Sequence, residues 1–326
     1  MNVSPATGIA QSTGKQDTVS VILMPHSGGM EAYMNLTEKI FDFARRDSDG
    51  LYSISVIEGG EINTLKRVPS NNANNTYSVS KAFTVTALGI LYDEGKLCTD
   101  EHITDIFSDE MPDGYDPVWD RVTVDNVIKH STGIDIPGFI NVNVDDLSEY
   151  EDKYGTRTDF LSILLSQKLP YEPGTYHCYT DAAYYLLSRL VTKKSGERLD
   201  DFLNKRLFVP LDFSEIAWEK CPQGYPLGGT GLFLRAADVA KLGQTYLCGG
   251  VYDGKRIFSE EWCNTVKERE YEFSKCSEFG HGKGGYCGQF VYFNTKLGIA
   301  VGWEGYDTSD YGARLCDFLK NLEMGM

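Results

Sequence analysis

The chain has 326 residues and carries 31 Lys and Arg residues against 47 Asp and Glu residues, which gives a formal net charge of −16. Such an acidic chain binds phosphate backbones and anionic membrane surfaces poorly, so neither nucleic acid nor a membrane is expected as a partner. Hydrophobic residues make up 41% of the chain, which excludes a largely disordered protein, and the length is that of about two domains.

The pattern of apolar residues predicts helices and strands along the whole chain. Helical spacing occurs at residues 36–46, 78–94, 158–167, 181–195, 199–207, 239–247 and 310–322. Alternation typical of strands occurs at residues 51–58, 61–68, 288–294 and 297–302. The pair Gly59-Gly60 joins the first two strands as a hairpin. The helix over residues 78–94 has almost no polar face and is therefore expected at the centre of the fold.

The order of these elements predicts the fold class. Strands lie near both ends of the chain, and a long helical stretch lies between them. The strands can form one antiparallel sheet with the helical stretch as an insertion, which is an α+β layout and not a βαβ alternation.

The first candidate for chemistry is Ser78-Val79-Ser80-Lys81, at the start of the apolar helix. Positions i and i+3 share a helix face, so the Ser78 hydroxyl and the Lys81 amine can meet. A serine hydroxyl needs a base, and a lysine can serve if burial lowers its pKa from about 10.4. Ser12 and Lys15 have the same spacing, but they lie in a polar segment with no predicted helix.

The second candidate is Tyr179-Thr180-Asp181, which follows a Pro173-Gly174 turn and begins a helix. Asp181 can cap this helix, and taken alone Tyr179 could be an ordinary packed aromatic residue.

The third candidate is the glycine-rich run that contains His281, Lys283, Gly284, Gly285 and Tyr286 and leads into a predicted strand. His281 and Lys283 alternate with glycines, so both side chains can point to one side. The glycines allow backbone N–H groups to approach a ligand closely, although a turn with solvated side chains would show the same pattern.

Together these residues resemble the serine hydrolases related to class C β-lactamases and penicillin-binding proteins, a group that includes D-alanyl-D-alanine carboxypeptidases, esterases and amide hydrolases. That family has S-x-x-K, Y-x-N and a strand motif of the K-T-G or H-x-G type, in this order. Residues 78–81 match the first motif fully, Tyr179-Thr180-Asp181 matches the second with Asp in place of Asn, and the glycine-rich run matches the third loosely. The similarity covers roughly residues 35–322 and includes the turn His130-Ser131-Thr132-Gly133-Ile134.

The resemblance implies a β-lactamase/transpeptidase-like fold and a role for each motif. Ser78 would attack a carbonyl and become acylated, while Lys81 and Tyr179 would share general-base and general-acid duty. Water would then release the acyl group, with no metal or organic cofactor. The substrate would be a small molecule or a short peptide.

The resemblance leaves the third motif open between two positions. If His281 takes the place of the K-T-G lysine, the strand N–H that binds the oxyanion together with that of Ser78 comes from Gly284. If Lys283 takes that place, the motif is Lys283-Gly284-Gly285 and Tyr286 donates the N–H. We prefer Lys283, because residues 285–289 resemble the G-x-x-G-Q strand of the amide-hydrolase and esterase branch.

Asp181 departs from the family pattern, because an ionised carboxylate only accepts hydrogen bonds. It would hold Lys81 in the charged state and could attract a substrate amine. We therefore expect a small ester, amide or peptide as the substrate. The alternatives are a true β-lactamase or D-alanyl-D-alanine carboxypeptidase, and a catalytically inactive binding or sensing protein that keeps the fold.

The resemblance also predicts the domain organisation. Residues 1–77 and 224–326 would form a discontinuous sheet domain, residues 78–223 a mainly helical domain, and the active site would lie in the cleft between them. The N-terminal residues lack the order of a signal peptide, in which a basic region precedes an apolar one, so a cytoplasmic location is expected.

Overall fold

A computed structural model describes residues 34–47, 49–68, 71–136, 159–306 and 310–325. The helices are α1 (Leu36–Arg46), α2 (Ser80–Asp93), α3 (Ile103–Ile106), α4 (Val124–Ile128), α5 (Phe160–Leu165), α6 (Asp181–Ser195), α7 (Leu199–Leu203), α8 (Ala236–Leu247), α9 (Glu260–Arg269) and α10 (Tyr311–Met324). The strands are β1 (Leu51–Glu58), β2 (Glu61–Lys66), β3 (Asn74–Asn75), β4 (Ala217–Trp218), β5 (Leu232–Leu234), β6 (Val251–Tyr252), β7 (Lys255–Arg256), β8 (Ser274–Lys275), β9 (Gly280–Gly284), β10 (Phe290–Asn294) and β11 (Ile299–Gly305).

The main sheet joins the two ends of the chain. Its six strands lie in the order β2-β1-β11-β10-β9-β8, and every neighbouring pair is antiparallel. Strand β1 pairs with β11, and Ile54 lies opposite Trp303 in that register. The predicted strands thus all lie in one antiparallel sheet, which confirms the α+β fold class. Strands β3, β5 and β4 form a second small sheet, and β6 and β7 form a third.

Helices cover both faces of this sheet. On one face the apolar side chains of β1 and β11, such as Val56 and Val301, form a core with α1 and α10. On the other face α8 crosses β11 so closely that a Cβ on Gly302 would lie 2.5 Å from Ala236 O and 2.5 Å from Ala240 N. Glycine in β11 is therefore what allows the helix backbone to contact the strand.

Helix α2 occupies the core, as predicted, since 12 of its 14 residues are buried. It begins at Ser80 and not at residue 78, because a 3-10 turn, Tyr77–Val79, precedes it. Tyr77 has a left-handed backbone (φ +48°), which the α-helix does not accept. Ser78 therefore lies on a tight turn just before the helix, and Lys81 lies in the first helical turn.

Other predicted elements are confirmed with shifted bounds, and two differ in kind. The helix expected over residues 199–207 is α7 followed by a π-helical turn, Asn204–Phe208. The glycine-rich run expected as the approach to a strand contains a strand of its own, β9. Apolar alternation could not reveal β9, because its Gly282 leaves room for a neighbouring side chain: a Cβ there would lie 2.1 Å from Phe290 Cε1.

The expected division into two domains stays a prediction. The described residues cluster as one compact unit. The strands of the six-stranded sheet fall within residues 1–77 and 224–326, and helices α2 to α7 fall between them. In the described part of the chain, no helix is both long and apolar enough to cross a bilayer.

We predict that Gly302→Ala lowers the free energy of unfolding by about 1–3 kcal/mol, the usual cost of overpacking. The added methyl group would meet backbone atoms of α8, which cannot rotate away as a side chain can. Urea unfolding followed by circular dichroism measures the change. Gly298→Ala is the control, because no atom lies within 4 Å of its added Cβ and only its left-handed backbone is penalised. A loss no larger than that of the control would contradict the close crossing of α8 over β11.

Candidate active site

The structure brings the Ser78 hydroxyl and the Lys81 amine together. Ser78 Oγ lies 3.2 Å from Lys81 Nζ, as the i, i+3 spacing predicts. The Lys81 side chain is fully buried beneath the turn that carries Ser78. The apolar helix therefore supplies the burial, and the turn directs the hydroxyl toward the amine.

Lys81 makes three hydrogen bonds, and each reaches a different segment of the chain. Its Nζ donates to Ser78 Oγ, to Gly229 O at 2.9 Å and to the carboxylate of Asp181. An ammonium group has three N–H donors, so all of them are used. The site is tight here, since a Cβ on Gly229 would lie 2.8 Å from Asp181 Oδ1.

Tyr179 lies between two lysines, on the extended segment before α6. Lys81 Nζ is 4.7 Å from the centroid of the Tyr179 ring. Lys283 Nζ is 5.0 Å from that centroid and 3.2 Å from Tyr179 Oη. The Tyr179 side chain is thus in contact with the ammonium groups of both lysines.

The two candidates for the third motif lie in different surroundings on β9. Lys283 reaches Tyr179. The His281 ring stacks on Phe293, with centroids 5.6 Å apart, and burial lowers the pKa of His281. The strand ends at Gly284, directly after Lys283.

The turn after β9 lies against the turn that carries Ser78. A Cβ on Gly285 would lie 2.6 Å from Thr76 O. Gln289 fixes the turn, because its Oε1 accepts from Cys287 N at 3.1 Å and its carbonyl accepts from Gly285 N at 2.7 Å. The Tyr286 side chain is exposed, while its backbone belongs to this fixed turn.

Two buried residues of the site, His130 and Glu272, were not predicted as site residues. His130 Nε2 lies 2.9 Å from Glu272 Oε1, and Glu272 Oε2 pairs with the ammonium group of Lys283. His130 begins the turn of residues 130–134, which is similar in sequence to a turn of the family. Glu272 lies between Tyr271 and Phe273. An acidic residue between two aromatic residues was the available signal, because such a segment is usually buried.

The buried charges of this cluster stabilise one another. Burial raises the pKa of Glu272, but Lys283 and His130 outweigh it and hold that pKa well below its usual range. Burial lowers the pKa of Lys283, but Glu272 and Tyr179 hold it above its usual value. Burial also lowers the pKa of His130, despite the opposing effect of Glu272. At neutral pH the cluster therefore contains a carboxylate, an ammonium group and a neutral imidazole.

Comparison with known proteins places this arrangement in a class of serine hydrolases that includes esterases, amidases and penicillin-binding proteins. Residues 52–303 match the model of the Beta-lactamase family, and the chain belongs to that family. The match confirms the resemblance found in the motifs and the β-lactamase/transpeptidase-like fold.

The curated relatives differ in what their names describe. A protein of Escherichia coli O157:H7, named provisionally as a D-alanyl-D-alanine carboxypeptidase, is 26% identical over 64% of this chain and 57% of its own length. The 6-aminohexanoate-dimer hydrolase of Paenarthrobacter ureafaciens is 26% identical over 58% of this chain and 49% of its own length. The chain thus spans about half the length of these curated relatives.

Solved structures share the fold at low sequence identity. An octameric penicillin-binding protein homologue from Pyrococcus abyssi is 19% identical, with a TM-score of 0.64 over 89% of this chain and 78% of its own. A family VIII carboxylesterase is 16% identical, with a TM-score of 0.63 over 86% of this chain and 94% of its own. At these identities the likeness shows the fold alone.

We predict that Lys81→Met lowers the free energy of unfolding by about 3–5 kcal/mol, because it leaves the Asp181 carboxylate buried without its cation. The double variant Lys81→Met/Asp181→Asn should recover part of this loss. Urea unfolding of both variants measures the coupling. The half-exposed pair Lys96 and Glu94 is the control and should show little coupling. Additive losses at Lys81 and Asp181 would contradict a coupled buried pair.

Proposed function

We propose that the protein is a hydrolase that cleaves a small ester, amide or peptide through an acyl-enzyme on Ser78. The observation that carries the proposal is the contact of Ser78 Oγ with the buried Lys81, with Tyr179 beside the same ammonium group. A helix cap or a packed aromatic residue would not require a buried cation at that position. Membership of a family of serine hydrolases supports the same conclusion.

The proposed reaction begins with Tyr179 as the base. Because the three hydrogens of Lys81 are already donated, we assign Tyr179 as the base: in its phenolate form it accepts the Ser78 proton while Ser78 Oγ bonds to the substrate carbonyl carbon. The tetrahedral intermediate collapses, and the leaving group departs with the proton from Tyr179. Water then attacks the acyl carbon and gives a proton to Tyr179, and that proton returns to Ser78 as the carboxylic acid leaves.

We propose that the backbone N–H groups of Ser78 and Tyr286 bind the oxyanion. Two observations support this pair: the Gly285 backbone lies against Thr76 O, and Lys283, not His281, contacts Tyr179. The third motif is then Lys283-Gly284-Gly285. Removal of one such donor typically costs a factor of about 10² to 10³ in turnover.

The substrate class follows from Asp181 and from the relatives. Asp181 keeps the charge of Lys81 neutralised, and its carboxylate also suits a substrate amine. A useful panel therefore contains p-nitrophenyl esters of short acids, an anilide, a 6-aminohexanoate dimer and a peptide that ends in D-alanyl-D-alanine. The cytoplasmic location stays a prediction, which cell fractionation with an antibody against the chain tests.

We predict that Ser78→Ala lowers the turnover of p-nitrophenyl acetate by at least about 10³-fold, because the group that becomes acylated is lost. A fluorophosphonate probe should label the wild type at Ser78 and leave the variant unlabelled. Ser12→Ala removes the serine of the other S-x-x-K sequence and should keep full turnover and labelling. Equal background rates in the wild type and Ser78→Ala across the substrate panel would reject the hydrolase and favour a binding protein.

We predict that Asp181→Asn raises the turnover of the anilide about 10-fold relative to the ester. The side-chain amide of this variant removes the negative charge paired with Lys81, so that Lys81 can share proton transfer to a poor leaving group. Steady-state rates on both substrates give the ratio. Asp200→Asn, which alters a partly exposed pair with Lys220, is the control and should leave the ratio unchanged. An unchanged ratio in Asp181→Asn would refute the role assigned to this carboxylate.

A further inference from the structure

We propose that His130 and Glu272 are positioning residues that hold the Lys283 ammonium group at Tyr179 Oη and fix the backbone that carries Tyr179. This inference rests on the proposed function, because it concerns the group that would carry the proton. Neither residue touches the reacting atoms, so each would act through Lys283 and Tyr179.

The contacts form one continuous chain across four segments. Thr180 N donates to His130 Nδ1 at 3.3 Å. Because Nδ1 accepts, the proton of the neutral ring is on Nε2, which donates to Glu272 Oε1 at 2.9 Å. The second oxygen of Glu272 accepts from Lys283 Nζ, which donates in turn to Tyr179 Oη at 3.2 Å.

His130 holds the Tyr179 segment at several points. Its carbonyl accepts from Cys178 N at 2.9 Å, and its ring nitrogen accepts from Thr180 N at 3.3 Å. Its ring also packs on the Tyr179 ring, with centroids 4.4 Å apart. The histidine therefore fixes the residue before Tyr179, the residue after it and the ring itself.

The backbone supports a specific role for this pair. His130 has φ +55° and Glu272 has φ +61°, a left-handed conformation that non-glycine residues rarely adopt. Both side chains are buried, and both direct their polar atoms at each other. Unfavourable backbone angles at two facing residues are typical of sites where side-chain placement matters more than local stability.

Glu272 also determines the charge of Lys283. The charged and titratable groups that surround Lys283 are Glu272, Tyr179, His130, Tyr184, Lys81 and its partner Asp181. Glu272 is the carboxylate in direct contact with the ammonium group, and together with Tyr179 it outweighs the burial that lowers the pKa of Lys283. Without this carboxylate burial dominates, and Lys283 loses its proton at lower pH.

The test is the pH dependence of kcat for p-nitrophenyl acetate in Glu272→Gln. Lys283 must stay protonated to donate to Tyr179, so a lower pKa of Lys283 makes kcat fall at lower pH. We expect the alkaline limb of kcat to move down by at least about one pH unit, with KM changed less than about threefold. His130→Asn keeps an acceptor for Thr180 N and tolerates the left-handed backbone, but it cannot reach Glu272. It should shift the limb less than Glu272→Gln.

Glu323→Gln is the matched control, since Glu323 is a buried carboxylate that accepts from Ser277 and Asn294. It should leave the alkaline limb where it is in the wild type, even if it lowers stability. An unshifted limb in Glu272→Gln, or an equal shift in Glu323→Gln, would overturn the positioning role.

A second measurement does not depend on activity. In ¹⁵N-histidine NMR spectra of the full chain at pH 7, the His130 resonances, assigned by their loss in His130→Asn, should report the neutral Nε2–H tautomer. A protonated ring or an Nδ1–H tautomer would overturn the inference even if the enzyme is active. If the wild type hydrolyses nothing in the panel, the proposed function fails, and the tautomer still decides whether this chain of contacts exists.

Discussion

The buried ammonium group of Lys81 is the constraint on which the site depends. A charge with no exposure to solvent must be matched by acceptors, and Lys81 finds them on three segments that are distant in sequence. These are the turn at Ser78, the start of α6 at Asp181 and the loop at Gly229. Satisfying one cation therefore brings together the nucleophile, the helix that follows Tyr179 and the loop before β5. A buried ion pair contributes little net stability, but removing one partner strongly destabilises the fold. The pair therefore favours this arrangement of the three segments over others.

A second pair repeats this logic on the other side of Tyr179. Lys283 is matched by Glu272 as Lys81 is matched by Asp181, so the phenol lies between two ammonium groups, each paired with a carboxylate. The two carboxylates offset the charges of the two ammonium groups, so that four charges can lie close together at the site. Tyr179, the proton acceptor proposed above, therefore lies beside two cations whose charges are balanced.

The sequence predicted the parts of this site that follow local rules. The spacing of Ser78 and Lys81 and the apolar character of α2 were sufficient, because both depend on residues that are close in sequence. The alternation in β1 and β11 predicted these strands, because it too is a local pattern along the chain. The pairing of His130 with Glu272 spans 142 positions and depends on two unusual backbone angles, which no periodicity records. Strand β9 was not predicted as a strand, because its glycines make room for the side chains of β10 and show no apolar pattern of their own.

Three residues of the site have a strained, left-handed backbone. Three of the eight non-glycine residues with left-handed angles in the described part of the chain are Tyr77, His130 and Glu272. Each such residue costs on the order of 1–3 kcal/mol, which a glycine would avoid. A glycine at position 130 would remove the side chain that contacts Glu272, and a glycine at position 272 would remove the side chain that contacts Lys283. Tyr77 begins the turn that carries Ser78. At these three residues the strained backbone places the turn that carries the nucleophile or a side chain that contacts its proposed proton acceptor, so the geometry of the site takes precedence there over local stability.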